Sequence, residues 1–204
     1  MEQIVIFTRY PEPGRTKTRL IPALGAEGAA KLHRKMADRA IATVRQLWQS
    51  RPISAEVRFT GATRAQMTDW WGDDLSYSPQ GTGDLGDRMK QAAAAAFENN
   101  CTSVVIIGTD CPAITPELLT AAFDKLGECD VVFGPATDGG YYLIGLSRLI
   151  PELFRGIDWG TASVLQQSRY ICQTLNLSVA ELVPLTDIDR PEDLETLNIN
   201  IENV

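Results

Sequence analysis

The sequence predicts an α/β fold built on a mostly parallel sheet, and three observations carry that expectation. Short apolar, β-branched runs recur along the 204 residues, segments of helical spacing separate them, and no internal repeat or low-complexity tract interrupts the alternation. An apolar fraction of 44% with 22% charged residues is that of a globular protein, and a chain of this length commonly forms one domain, so residues 1–204 are expected to fold as a single unit.

Each element has its own signal. "QIVIF" (3–7) reads as a buried strand. Ala29, Leu32, Met36, Ala40, Val44 and Leu47 recur at helical spacing and predict a helix ending at Trp48. "AEVRF" (55–59) is a strand, "ATRAQMTDWW" (62–71) a helix and "LSYS" (75–78) a weak, polar strand, followed by a helix from about Asp84 to Glu98. "SVVIIG" (103–108) is the strongest strand. Thr115, Pro116 and Glu117 then supply an N-cap, a first-turn proline and a first-turn acid for the next helix. "DVVFG" (130–134) and "YYLIGL" (141–146) are strands, 161–175 is helical, "SVAELVPL" (178–185) returns to strand, and "RPEDLETL" (190–197) closes with a helix.

Composition narrows the function. With 26 acidic against 19 basic residues the net charge is −7, which argues against a general nucleic-acid or membrane-surface binder. No apolar run is long enough for a membrane span, and "QIVIF" is too short, without a basic leader, to be a signal-peptide core. Cys101, Cys111, Cys129 and Cys172 are scattered, with neither CxxC pairs nor zinc spacing, so a reduced, cytoplasmic protein is expected.

Against that acidic background, "RYPEPGRTKTRLIPALG" sets Arg9, Arg15, Lys17 and Arg19 in an irregular loop directly after the first strand. Other strands are followed by carboxylates: Asp110 after "SVVIIG", Asp138 after "DVVFG", and Asp187 and Asp189 after "SVAELVPL". Ligands of open α/β sheets bind at the carboxyl ends of strands. Cations facing a carboxylate cluster there suit a nucleotide, whose phosphates need positive donors and whose bridging Mg²⁺ needs carboxylates. Each Asp alone could equally be a turn or cap residue, Asp189 in particular a cap for the last helix.

Two familiar motifs do not hold. "GRTKTRL" lacks Walker A spacing, and "GTGDLG" (81–86) matches a dinucleotide fingerprint but comes after a polar, proline-containing segment instead of a buried strand. The single histidine, His33, reads as a surface or boundary residue of its helix, and Cys111 as a small buried one.

"FTRYPEPGRTKTRLIPALG", "GDLGDRM", "IGTDCPAI", "GPATDGGYYLIGL", "WGTASVL" and "DIDRPEDL" together resemble a bacterial glycosyltransferase-like family and, within the same superfamily, the phospholactate and molybdenum-cofactor guanylyltransferases. The resemblance spans nearly the whole chain. It implies a GT-A-type, Rossmann-like α/β/α fold with a mostly parallel mixed sheet, and a transferase using a nucleoside triphosphate or a nucleotide sugar with a small-molecule acceptor.

It also implies site roles. Arg15, Lys17 and Arg19 would form the phosphate loop and stabilise departing pyrophosphate. Asp110 and Asp189, with Asp187 as competitor, would hold Mg²⁺ or Mn²⁺. Gly83, Gly86 and Arg88 would border base and ribose. Asp138, Gly139 and Gly140 would border the second substrate, with Asp138 the one candidate base for glycosyl transfer. The chain departs from the usual pattern in its proline-containing loop and in Arg190, where Thr is common. A single Asp in "TDCP", instead of D-x-D, favours nucleotidyl over glycosyl transfer. A non-catalytic nucleotide-binding module, and either a monomer or a homodimer, stay open.

Overall fold

The computed structural model describes residues 1–196. Its strands are β1 (Glu2–Arg9), β2 (Ile53–Thr60), β3 (Ser76–Pro79), β4 (Ser103–Gly108), β5 (Val131–Pro135), β6 (Tyr141–Leu146) and β7 (Val179–Glu181). The helices are α1 (Ile21–Trp48), α2 (Arg64–Trp71), α3 (Leu85–Glu98), α4 (Pro116–Leu126) and α5 (Val164–Thr174), with 3-10 turns at Thr18–Leu20, Pro151–Phe154 and Pro191–Thr196. The strands form one sheet in the order β3-β2-β1-β4-β6-β5-β7. Every pairing is parallel except those of β6, which runs antiparallel to both β4 and β5.

Alternation along the central strands explains the layers, because successive side chains point to opposite faces. Ile4, Ile6, Val105 and Ile107 pack with Val44, Met67 and Phe123 from α1, α2 and α4. Val5, Phe7, Val104 and Ile106 face the other way, onto Met89 and Ala93 of α3, Leu165 of α5 and Phe154. With helices on both faces, these strands are apolar throughout rather than alternating. The result is the α/β/α arrangement expected from the sequence.

Local chemistry sets the helix starts. Thr115 accepts from Leu118 N at 3.3 Å and Pro116 fills the first turn of α4, while Thr63 and Gln66 form a reciprocal capping box on α2. The first helix begins at Ile21 instead of near Ala29, but breaks at Gly25, whose φ of 69° a side chain would resist. Three other elements differ from expectation. β7 stops at Glu181; Pro184 offers no N–H, and the chain rejoins the sheet at the Ala136–Leu185 bridge. Thr161 to Ser163 form a turn before α5, with Thr161 Oγ1 donating to the Asp158 carbonyl at 2.8 Å. The last expected helix is a 3-10 turn, and Leu197, its expected end, lies outside the described residues. No described helix is long and apolar enough to cross a membrane.

A third apolar cluster lies outside the two sheet faces. Leu20, Leu32 and Met36 pack against Ile188 and Leu194, fastening the C-terminal segment onto the start of α1.

The β5–β6 pairing tolerates no side chain at Gly134. A Cβ there would stand 2.4 Å from the Tyr142 ring and 2.9 Å from Leu143 Cβ, and the Tyr142 hydroxyl is tied to the Val183 carbonyl at 3.0 Å. Gly134→Ala should therefore lower stability by about 1–3 kcal/mol, read as a reduced urea midpoint at unchanged slope.

Candidate functional site

The carboxyl ends of the parallel strands open into a cavity of about 380 Å³. Thr8 and Arg9 come from the end of β1, Gln80 from just past β3, Asp110 from the turn after β4, and Asp187 from the segment after β7. Because β6 is antiparallel, its start at Tyr141 lies on this same edge, beside Asp138 and Gly140. Three hydrogen bonds fix the floor, two of them fully buried. The hydroxyls of Thr8 and Thr109 meet at 3.2 Å, and the Gln80 amide donates to the Thr8 carbonyl at 2.9 Å and to the Arg58 carbonyl at 3.2 Å.

The basic loop is wired internally. Buried Thr16 donates to the Tyr10 carbonyl at 3.1 Å and accepts from Glu12 N at 3.0 Å, turning the chain back on itself. Lys17 then adopts a left-handed conformation, φ 50°, ψ 46°, uncommon for a residue with a side chain. Its side chain is only 4% exposed, and its Nζ donates to the Ile188 carbonyl at 2.5 Å, with Asp110 Oδ1 at 3.0 Å and Asp189 Oδ1 at 3.6 Å. Arg19 is ion-paired with Asp189. Arg15 is exposed and paired with Glu12 at 3.4 Å. None of the three lines the cavity. The arginines that do are Arg9, donating to the Arg15 carbonyl at 3.2 Å, and Arg88, donating to the Gly83 carbonyl at 3.1 Å and to Gln80 Oε1 at 3.4 Å. Neither has a carboxylate partner among the described residues.

The carboxylates separate by environment. Burial alone would raise the Asp110 carboxyl, but the Lys17 ammonium and the His33 ring beside it hold it well below the usual range. Asp187 goes the other way. Burial, with the negative charges of Asp110 and Asp138, pushes it up to about 7 despite Lys17. Asp189 serves Lys17 and Arg19, whereas Asp187 has no ion pair among the described residues and lines the cavity. Asp138 is exposed and lines the cavity, its Oδ1 accepting from Gly140 N at 2.9 Å.

The glycines divide similarly. Gly140 lines the cavity; Gly139, φ 93°, is a packing position, where a Cβ would lie 2.2 Å from the Ala162 carbonyl oxygen. Gly86 is another, since a Cβ would meet the Phe154 carbonyl and the Trp159 indole at 2.6 Å. Gly83 contributes its carbonyl to Arg88. The N-cap of α3 is Asp84, accepting from Asp87 N at 2.8 Å, so a carboxylate already occupies the helix start that a dinucleotide fingerprint would offer to pyrophosphate.

His33 is no boundary residue. It is 4% exposed, its Nε2 donates to the Arg9 carbonyl at 2.9 Å, and its Nδ1 faces Asp110 Oδ1 at 3.7 Å. The sequence reading counted Arg9 only as one of the basic-loop cations, giving specific roles to Arg15, Lys17 and Arg19, and gave Gln80 no role; what set Arg9 apart was its place as the last residue of a buried strand. Cys111 is buried beside Asp110, its thiol pushed up to about 12 chiefly by burial, and acts as a packing residue.

Fold and cavity together define the architecture of nucleotide-diphospho-sugar transferases. Within it, the chain belongs to the family DUF2064, described as an uncharacterized protein conserved in bacteria, whose model matches residues 43–161. Among solved structures it resembles one from Desulfovibrio desulfuricans G20, provisionally described as a nucleotide-diphospho-sugar transferase, at 32% identity and TM-score 0.86 over 93% of this chain and 82% of the other. More distant likenesses show the fold alone. One is a CMP:2-keto-3-deoxy-manno-octonic acid synthetase complexed with CTP (13% identity, TM-score 0.56, 96% and 95% covered). Another is Rv0371C of Mycobacterium tuberculosis H37Rv in complex with manganese (17%, 0.60, 100% and 98%). The search of curated proteins finds no match.

The Asp187 shift makes a pH prediction. Unfolded, this carboxyl titrates near 4; folded, at about 7. Between those values the folded chain holds the extra proton, so stability falls as pH rises through that window and the loss is complete above it. With chelator present, Asp187→Asn should melt above wild type at pH 8, by on the order of 2 kcal/mol, and the two should converge near pH 4.

Proposed function

We propose that this protein transfers a nucleotidyl group from a nucleoside triphosphate to a small phosphorylated or acidic acceptor, releasing pyrophosphate, with a divalent metal at Asp110 and Asp187. The observation that carries this reading is the pairing of those two carboxylates, at the ends of β4 and the β7 segment, with a cavity whose arginines have no carboxylate partner among the described residues. A cavity of about 380 Å³ lies within the range of small-molecule sites, roughly 300–1,000 Å³.

The residues fit a hard cation. The donors are all carboxylate oxygens, Asp110 Oδ1 is enclosed with the Lys17 ammonium as its ion-pair partner at 3.0 Å, a position a metal cation could take, and Asp187 is driven toward protonation by burial and by its acidic neighbours. Mg²⁺ is commonly held by one or two carboxylates and completed by substrate phosphates, the role proposed for Asp110 and Asp187. Bound there, the ion would neutralise charge on the phosphates. The manganese complex of a same-fold protein and the CTP complex of another support both ligand classes.

The chain's own residues do the rest. Arg9 and Arg88 are placed to receive phosphate oxygens as donors that lose no ion pair in doing so. Lys17, released from Asp110, supplies a third cation, and Arg19 and Asp189 hold the loop that carries it. Such chemistry needs positioning and fixed charge more than a covalent nucleophile. The description of the 32%-identical relative favours a second reading, glycosyl transfer from a nucleotide sugar, with Asp138 as acceptor base.

A thermal-shift screen of the four nucleoside triphosphates and a set of nucleotide sugars, each with Mg²⁺ and with chelator, tests this. One triphosphate should raise the melting temperature only with Mg²⁺, by the equivalent of about 2.7 kcal/mol at 100 times its dissociation constant, and Asp110→Asn should abolish the shift. A response confined to nucleotide sugars selects glycosyl transfer, and no metal-dependent response to either class overturns both. Once the acceptor is found, Lys17→Ala should lower turnover about 10²- to 10³-fold.

A further inference from the structure

The cavity has two unlike sides. On one stand the arginines: Arg9 at the end of β1, and Arg88, which donates to Gln80 and Gly83 just past β3. The other lies beyond β4 in the strand order and is largely aromatic and apolar. Tyr141 at the start of β6, Trp159, and Val164 at the start of α5 line it, with Asp138 its one charged member. Leu85, the first residue of α3, also lines the cavity and is 44% exposed.

Trp159 is built in rigidly. The edge of its indole takes the space that Gly86 leaves empty, since a Cβ there would stand 2.6 Å from Nε1 and 2.7 Å from Cζ2. Tyr141 meets it edge-on, with planes at 88°. The preceding residue is clamped to α5: the Gln167 amide donates to Asp158 Oδ2 at 2.7 Å, and Gln167 Oε1 accepts from Asp158 N at 2.8 Å. Yet Trp159 itself is only half-buried. A large ring held still in a cavity wall, with part of its surface open, is prepared to receive apolar surface from a ligand.

The direction of the chemistry says which ligand. In-line phosphoryl transfer sets the attacking and leaving oxygens on opposite sides of phosphorus. Under the proposed function the departing pyrophosphate lies with the arginines, so the acceptor comes from the opposite side of Asp110, where Trp159 stands. The first turn of α3 keeps the two sides apart: Gly86 and Arg88 are two residues from each other, about 200° around the helix axis. We infer that Trp159 is a specificity-determining residue for the acceptor, and that the acceptor is a small anion carrying a ring whose apolar face lies on the indole. Its phosphate or carboxylate oxygen bonds the α-phosphorus as the bond to the bridging oxygen breaks, and that electron pair leaves on pyrophosphate. An ionised acceptor brings no proton to remove, which suits a site without an assigned base for this step.

The assignment to the acceptor rests on the proposed function, and the test separates the two. Of the four tryptophans, Trp48, Trp70 and Trp71 do not line the cavity. Protein labelled with 5-fluorotryptophan therefore carries one reporter and three internal controls in its ¹⁹F spectrum, assigned with Trp159→Phe. Phenyl phosphate, cyclohexyl phosphate and methyl phosphate are titrated without nucleotide, each with Mg²⁺ and with chelator. A ring phosphate should move the Trp159 signal alone and bind about 2- to 10-fold more tightly than methyl phosphate, and Trp159→Ala should lose that advantage. Preference for the phenyl compound points to an aromatic acceptor, and preference for the cyclohexyl compound to a saturated ring. Equal affinity for all three, or a Trp159 signal that no ring phosphate moves, overturns the inference; both are read on the wild type, whatever the stability of the variant. The four nucleoside triphosphates with Mg²⁺ form a separate arm. One that moves the Trp159 signal and competes with the ring phosphate gives the indole to the base and overturns the assignment to the acceptor. Failure of every triphosphate to bind overturns nucleotidyl transfer instead and leaves the ring subsite standing.

Discussion

A buried ammonium must be matched by anions, and the match made by Lys17 organises the whole carboxyl edge of this sheet. Removing a charge from water costs several kcal/mol unless partners return it. Lys17 finds its partners on two distant segments, Asp110 after β4 and the Ile188–Asp189 stretch after β7, and so draws the basic loop, the central strand and the C-terminal segment to one point. The Ile188 side chain, packed under Leu20 and Leu32, and its backbone N–H, bonded to the Asp110 carbonyl at 2.8 Å, reinforce the same knot. The left-handed backbone at Lys17 is the cost of aiming that side chain inward from a loop that otherwise runs along the surface.

This explains why an acidic protein gathers cations in one loop. Their charge is largely answered within the fold: Arg15 by Glu12, Arg19 by Asp189, Lys17 by Asp110. Under the proposed function, an anionic ligand competing for Lys17 must therefore offer what the carboxylates offer, whereas Arg9 and Arg88, with no carboxylate partner among the described residues, would receive it at no such cost. The site thus contains two kinds of cation, one committed to carboxylates and one without a carboxylate partner among the described residues; under the proposed function a divalent ion engaging Asp110 would convert the first kind into the second.

The sequence disclosed most of the fold because its central strands are covered on both faces, which leaves unbroken apolar runs such as "SVVIIG" that nothing else explains. It disclosed β7 poorly, because a three-residue edge strand has too few positions to show a period and Pro184 looks like a turn inside a longer strand. The carboxylates were legible as a group through their place after strands. Their division of labour was not. Asp187 and Asp189 are two residues apart in one segment, and what separates them is Arg19, some 170 positions away in sequence. His33 was hidden for a related reason: beside Leu32 and Met36 a lone histidine reads as a surface or boundary residue of its helix, and only the packing of that helix beside the end of β1 reveals the Arg9 carbonyl and Asp110 on the two sides of its ring.

One topological irregularity completes the site. In a purely parallel sheet every strand would begin at the edge remote from the ligand, and the chain between β5 and β6 would have to cross the sheet. Running β6 antiparallel lets residues 136–140 turn tightly at the carboxyl edge, so Asp138 and Gly140 reach the cavity on a turn held by Gly139 against Ala162. The chain then leaves at the far edge and returns through 155–163, where Trp159 lies against Gly86 and edge-on to Tyr141 at 6.4 Å. That return adds Trp159, Gly160 and Thr161 to the lining of the cavity. Asp138 stays electrically coupled to the other carboxylates of that edge, since its charge helps to push Asp187 up, so the tight turn that carries it belongs to the same charged group as the ends of β4 and β7.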